Sequence, residues 1–305
     1  MKKLSHCFNL NLIVCLLIVS ISGVVHAADH GDTPLLMSIG RHDARLADLF
    51  AFTRGDNLVL CITSDPTIPP EVTEYVFPTD VEFTIAIDKT SRVRKSDPED
   101  LAKFGGTIVR PARIKENIIF KITFNQNNEP QLYSNRPHLL RHTSLFAGLR
   151  DDPFIRGPRI GKNIAAIVLE LPVVKVLGFY RSLPIAKKLL RKHPTLLIWA
   201  TASVEEVTGR FQELAGRALR SQFPENDLMN TLHPNRHFQE LGVPPDVIIF
   251  DTSAPAVFPN GRELTDDVVD LVGDPRPLGN DTPFPDANDV PFLDVFPYLA
   301  PPHLP

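Results

Sequence analysis

Two kinds of side chain in this sequence could hold a metal ion: clustered aspartates and spaced histidines. The aspartates are Asp29, Asp32, Asp48, Asp151, Asp152, Asp266, Asp267 and Asp270. Hard carboxylate oxygens suit Ca²⁺, which gathers six to eight oxygen ligands and accepts carbonyls and waters among them. Asp151-Asp152 and Asp266-Asp267 are adjacent pairs in loop-like settings, so one member of each could face a common ion. The same acids have a structural use. Arg150 can take a carboxylate in a two-pronged pair, and aspartates beside Pro153 or at a helix start can cap turns. The spacing is neither that of an EF-hand nor that of a calcium-binding nonapeptide repeat.

The histidines recur at i and i+4 in His138-Leu139-Leu140-Arg141-His142 and in His233-Pro234-Asn235-Arg236-His237. On a helix that spacing puts both imidazoles on one face, as a zinc site needs. Neither pair has the adjacent glutamate of a metalloprotease helix, and each holds an arginine, which repels a cation. Both pairs therefore read as solvent-exposed loop histidines. His30, between Asp29 and Asp32, is a further candidate ligand. Haem attachment through Cys-x-x-Cys-His has no motif here, though a histidine or methionine axial ligand would not need one. Covalent catalysis has little to stand on. The chain has no Gly-x-Ser-x-Gly turn and no phosphate-cradling glycine loop. Cys61, inside Leu58-Val59-Leu60-Cys61-Ile62, reads as a buried small hydrophobe.

The elements that must position these groups are mostly strands. The 29 prolines are spread along the chain and leave little room for helix interiors. Leu49–Phe52 and Leu58–Thr63 form a hairpin around Gly55-Asp56-Asn57. Val81–Asp88 alternates as a half-buried strand does. Asn117–Phe124, Ile164–Leu171 and Thr195–Thr201 are further strands, and Val247–Phe250 is a short apolar element, helix end or strand. Lys89–Lys103 reads as charged loop. Val204–Ser221 has helical spacing, with Val207, Phe211, Leu214 and Leu219 on one face. The apolar tail from Asn288 to Ala300 is expected to dock on the core. The fold class that follows is mainly β: sandwich-like antiparallel sheets with a few short helices and long proline-rich loops.

The first residues read as an address. Lys2 and Lys3 precede an apolar run from Leu10 to Val25, and Val25-His26-Ala27 has the small-residue pattern of a cleavage site. Residues 1–27 are thus expected to be a signal peptide and residues 28–305 a single β-rich domain, periplasmic or extracellular. Cleavage removes Cys7 and Cys15, leaving Cys61 without a disulfide partner. It also removes two lysines and no acid, moving the formal net charge from −4 to −6. That balance argues against nucleic acid as a partner. No membrane-spanning segment is expected after cleavage. The basic stretch Arg181 to His193 could touch a membrane surface or be a solvated helix.

Several segments together resemble one family. They are Asp29-His30 with Pro34-Leu35, Ala47 to Phe52, Phe146-Ala147-Gly148-Leu149-Arg150-Asp151-Asp152-Pro153-Phe154, Ala166 to Pro172, Ile198 to Thr201, Asn260 to Asp270, and Asn288 to Leu299. In that order they resemble the bacterial secreted family catalogued as domain of unknown function 4331. The resemblance implies a secreted, mainly β protein and no particular reaction. This chain has Asp29-His30-Gly31-Asp32-Thr33-Pro34 where the family has a Ser-His-Arg-Glu-Ala-Pro flavour, and Arg181 to His193 looks like an insertion. Two functions follow as expectations. One is an extracytoplasmic binding or structural protein with an unknown protein or small-molecule partner and a calcium-stabilised loop cluster. The other is a metal-dependent enzyme using His30 and nearby aspartates. Convergence of His30, Asp48 and Asp151 or Asp152 would favour the enzyme; aspartates bonded to Arg150, Arg262 or backbone amides would favour the scaffold.

Overall fold

The computed structural model describes residues 36, 38–155, 159–178, 194–206, 209–217, 226–272 and 285–305. The expected signal peptide, His30, Asp32 and the stretch Arg181 to His193 lie outside the described residues.

The chain is mainly β, in two antiparallel sheets. The first sheet contains β1 (Leu46–Arg54), β2 (Asn57–Ile68), β8 (Ser144–Asp151) and β9 (Asn163–Pro172), in the order β1-β2-β9-β8. The second contains β3 (Val81–Asp88), β6 (Ile118–Phe124), β7 (Pro130–Ser134), β10 (Thr195–Glu206) and β11 (Gly209–Ala215), in the order β11-β10-β3-β6-β7. A last strand, β12 (Ile248–Asp251), also pairs with β10. A two-residue ribbon, β4 (Val93–Arg94) with β5 (Thr107–Ile108), sits beside them.

Side-chain alternation explains how the sheets pack. Along β6 every second residue is buried, so Ile118, Phe120, Ile122 and Phe124 face inward. The main core joins these to Phe83 and Ile85 of β3, Ile198 and Ala200 of β10, and Phe50, Leu60 and Leu169 of the first sheet. Full burial of each such side chain contributes roughly 1.5–3 kcal/mol. The other face of the second sheet is covered as well. Leu197 and Trp199 of β10 pack there with Ala86, Leu214 and Ile249, under Ile108 and Ile114. β1, β2 and β9 are apolar and buried along most of their length, so their sheet also needs cover on its outer side. The tail supplies it: Tyr298 meets Phe52 edge-on, and its hydroxyl donates to Glu170 at 2.7 Å.

Asn260-Gly261-Arg262 closes one side of the sandwich. The Gly261 N–H donates to the Ile249 carbonyl of the second sheet, while Ala51 of the first sheet and Arg262 exchange two backbone hydrogen bonds. Gly261 has φ +76, and a Cβ there would lie 2.5 Å from the Ala51 carbonyl oxygen, so only glycine fits.

Two expectations about local structure fail. The helix expected over Val204–Ser221 is not found among the described residues of that span, 204–206 and 209–217; Val207 and Leu219 lie outside them. β10 runs on to Glu206 and returns as β11, with Val204 opposite Phe211 and Thr201 opposite Leu214. Gly209 has φ +136, which no right-handed helix contains. The charged stretch Lys89–Lys103 is not all loop, since Pro98–Phe104 is a helix. Asp97 caps it by accepting from Glu99 N and Asp100 N, and Gly105 ends it with φ +78. No helix among the described residues is long and apolar enough to cross a membrane.

Candidate metal centre

Asp151 and Asp152 are neighbours in sequence, and the pleat sends them different ways. Asp151 is not in a loop, as expected, but is the last residue of β8, opposite Asn163 of β9. Its Oδ1 lies 2.8 Å from His303 Nε2 in the docked tail. Asp289 Oδ2 lies 3.4 Å from the same nitrogen. These three residues can each turn a ligand atom to within 4.8 Å of the others.

The surroundings hold this trio in place. Asn163 is fully buried and grips the His303 backbone on both sides: its Nδ2 donates to the His303 carbonyl at 3.0 Å, and its Oδ1 accepts from His303 N at 2.8 Å. Asn288 donates through Nδ2 to Asp151 Oδ2 at 2.5 Å. The Gly161 N–H donates to Asp289 Oδ2 at 2.7 Å. A crevice too narrow to hold a water molecule runs alongside, lined by Phe154, Ile155, Ile160 and Asn288.

Asp151 Oδ1 and His303 Nε2 face each other at 2.8 Å, and each is a buried atom without a directed hydrogen bond, as Asp48 Oδ1 and Arg262 Nη1 are in their own ion pair. What sets this cluster apart is its composition: two carboxylates and one imidazole converge on it. Ligand atoms around a tetrahedral ion with bonds of about 2.0–2.1 Å stand about 3.3 Å apart; His303 and Asp289 are 3.4 Å apart, while His303 and Asp151, at 2.8 Å, are closer than that. Charge fits as well: two carboxylates balance a divalent cation. Burial pushes the Asp151 carboxyl up to about 6; the Asn288 hydrogen bond opposes this, the Asp289 charge adds to it, and His303 opposes it. A bound cation would reverse that penalty. One imidazole nitrogen with two carboxylate oxygens suits a transition-metal ion such as Zn²⁺ or Mn²⁺ better than Ca²⁺.

The other expected ligands are engaged elsewhere. Asp48 sits where the β1–β2 register shifts, so a bulge turns it into the interior. There it meets Arg262 Nη1 at 2.6 Å, and the guanidinium lies 4.2 Å over the Phe50 ring. Asp152 pairs with Arg159 Nη1 at 3.0 Å and also accepts from Phe154 N. Burial, then the Asp48 charge, pushes the Asp152 carboxyl well above its ordinary value, while burial lowers Arg159 to about 10. Arg159 is still protonated at neutral pH, so the pair keeps its cation. Among the described residues Arg150 takes no carboxylate. It lies 4.1 Å over the Phe146 ring and donates to the Leu149 carbonyl.

Asp266 accepts from Glu263 N at 2.8 Å, and Asp267 accepts from Val269 N and Asp270 N as a helix cap. Asp267, Asp270 and Asp286 also bring three carboxylates within 4.8 Å, an all-oxygen group of the kind expected for Ca²⁺. His138 and His142 are exposed, as expected. His237 is not: it is fully buried, its Nδ1 accepting from Asp246 N and its Nε2 placed to donate to the Met229 and Leu232 carbonyls. Burial lowers its pKa, so it is a neutral core histidine. Burial, then the Asp48 charge, raises the Cys61 thiol, which rules out a resting thiolate. His303, Asp289, Asn288 and Asn163 were missed by sequence reasoning. The available signal was a lone histidine and an Asn-Asp pair in a tail too apolar to be free.

Comparison of the chain with known protein families, curated proteins and solved structures finds no match.

Proposed function

We propose that this protein is an extracytoplasmic binding or structural protein whose sandwich is clamped by one divalent metal ion held by Asp151, Asp289 and His303. The observation that carries this reading is the convergence of two carboxylates and one imidazole, those of Asp151, Asp289 and His303, with ligand atoms within 4.8 Å of one another. The ion would tie the tail to the β8–β9 pair, and its role is structural. Of the aspartates the enzyme reading needs, Asp48 and Asp152 are occupied by arginines, so those two give catalysis no support. The address rests on Lys2, Lys3, the apolar run and Ala27, and the resemblance to domain of unknown function 4331 agrees with it.

The test is elemental mass spectrometry of the purified mature protein, with thermal melting before and after chelation. About one equivalent of zinc or manganese, a lower melt on chelation, and a chelation-insensitive Asp151→Asn variant are expected. A metal-free protein whose melt ignores both chelator and added ion would overturn the metal clamp. Stoichiometric metal that survives in Asp151→Asn would move the site elsewhere. N-terminal sequencing of exported protein checks the address; a chain that begins at Met1 would refute it.

A further inference from the structure

We infer that the loops at the end of β3 form a binding site for a small polyanion, a molecule bearing two or more phosphate or sulfate groups. Arg92, Arg110, Arg113 and Lys115 line a single cavity of about 460 Å³ with Thr90 and Ser91. All four cations are exposed, and among the described residues none of them is paired with a carboxylate. Elsewhere the basic side chains of this chain are often spent on acids: Arg41 on Asp43 and Asp80, Lys95 on Asp251, Lys121 on Glu82, Arg54 on Glu263. Four like charges around one concavity repel one another. In a chain with a formal net charge of −4, whose surface has acids to offer, that arrangement points to an anionic guest.

The cavity is built rather than accidental. Asp88, the fully buried last residue of β3, staples both of its walls. Its Oδ1 accepts from Thr90 N, Thr90 Oγ1 and Ser91 N, and its Oδ2 from Ser91 Oγ and Lys115 N, all between 2.6 and 3.1 Å. The Val109 N–H donates to the Arg92 carbonyl at 2.9 Å, joining the two walls above. Pro111–Arg113 is a 3₁₀ turn, closed by Arg113 N donating to the Arg110 carbonyl. The turn holds Arg110, which flanks it, and Arg113, its last residue, on one short loop.

The chemistry selects the guest. The Thr90 and Ser91 hydroxyls donate their hydrogen bonds to Asp88, so the side-chain donors left for a ligand are the guanidinium groups and the ammonium. Planar guanidinium forks match phosphate and sulfate oxygens in pairs. The volume is in the range of small-molecule sites and exceeds what a single inorganic anion fills. The site lies on loops of the second sheet, apart from the metal centre on the first, and does not depend on it.

The experiment is titration calorimetry with inorganic tripolyphosphate and, separately, sucrose octasulfate. Because tripolyphosphate also chelates metals, the same titrations are run on Asp151→Asn. The expected result is 1:1 binding in both backgrounds that weakens at least tenfold between 50 and 300 mM salt. An Arg110→Ala/Arg113→Ala variant with an unchanged melt should bind at least thirtyfold more weakly, and Arg136→Ala as tightly as the parent. Tighter binding of one probe tells a phosphate source from a sulfate one. No saturable binding, equal binding by the double variant, or a single-stranded oligonucleotide outcompeting both probes would overturn the assignment.

Discussion

Asp151 and Asp152 share a strand end and face two different regions. Behind Asp152 is a closed interior: Asp152 with Arg159, and Asp48 with Arg262, each acid matched by a buried guanidinium. In front of Asp151 is an open arrangement: two carboxylates and one imidazole, with amides of Asn288 and Gly161 donating to the carboxylates. Both regions bury charge. The closed one balances it with residues of its own, and the open one leaves a balance that a divalent cation would complete. Burial alone therefore does not mark a binding site in this molecule. The identity of the counter-charge does.

The comparison can be broken at several points. Arg262→Met strands the Asp48 carboxylate in the core and should cost about 3–5 kcal/mol, measured by urea unfolding. Adding Asp48→Leu should restore most of that loss, and failure to restore it would show that Arg262 acts through its packing on Phe50 rather than its charge. In the open region, His303→Ala should abolish metal-dependent stabilisation, a loss of about 2.7 kcal/mol at an ion concentration of 100 times Kd. Fluorescence-detected melting with and without Zn²⁺ reads it out. Asn163→Ala leaves the three ligands in place but releases the His303 backbone. It should weaken the ion about 10–100-fold in competition titrations with a chromophoric chelator.

The finest effect is pH. In the chelated protein the Asp151 carboxyl has a folded pKa of about 6, above its unfolded value. Its contribution to stability is then fully present below the unfolded pKa and is lost as pH rises through about 6. The chelated melt should fall over that window, and Asp151→Asn should flatten the fall. With metal the trend should reverse, because protons compete with the ion for the ligands.

Much of the fold was legible because apolar alternation survives in the strands. Val81–Asp88 has the bounds its pattern implies, and the Gly55-Asp56-Asn57 turn and its two strands are where turn chemistry puts them. β11 was not legible, since its apolar residues fit a helix as well, and pairing with β10 decided the matter. The candidate site was half legible. Asp151 stands inside the Arg150-Asp151-Asp152-Pro153-Phe154 segment that draws attention. Its partners lie well over a hundred residues away, brought in by tail docking that no local spacing encodes. Asp48 drew attention for the wrong reason: a bulge, invisible in composition, turns it toward Arg262.

The strand order β1-β2-β9-β8 has a consequence for how the molecule comes into being. In the finished sheet Asn57 lies opposite Pro172, yet β3, β6 and β7, which belong to the other sheet, come between them in the chain. Neither sheet is contiguous in sequence, and such long-range pairing is slow to nucleate, on the order of milliseconds to seconds. Until β9 arrives, β2 offers an open edge bearing Leu58, Leu60 and Ile62, a template on which a second nascent copy could pair. The step most exposed to misassembly is thus the wait for β9, and refolding yield should fall as protein concentration rises.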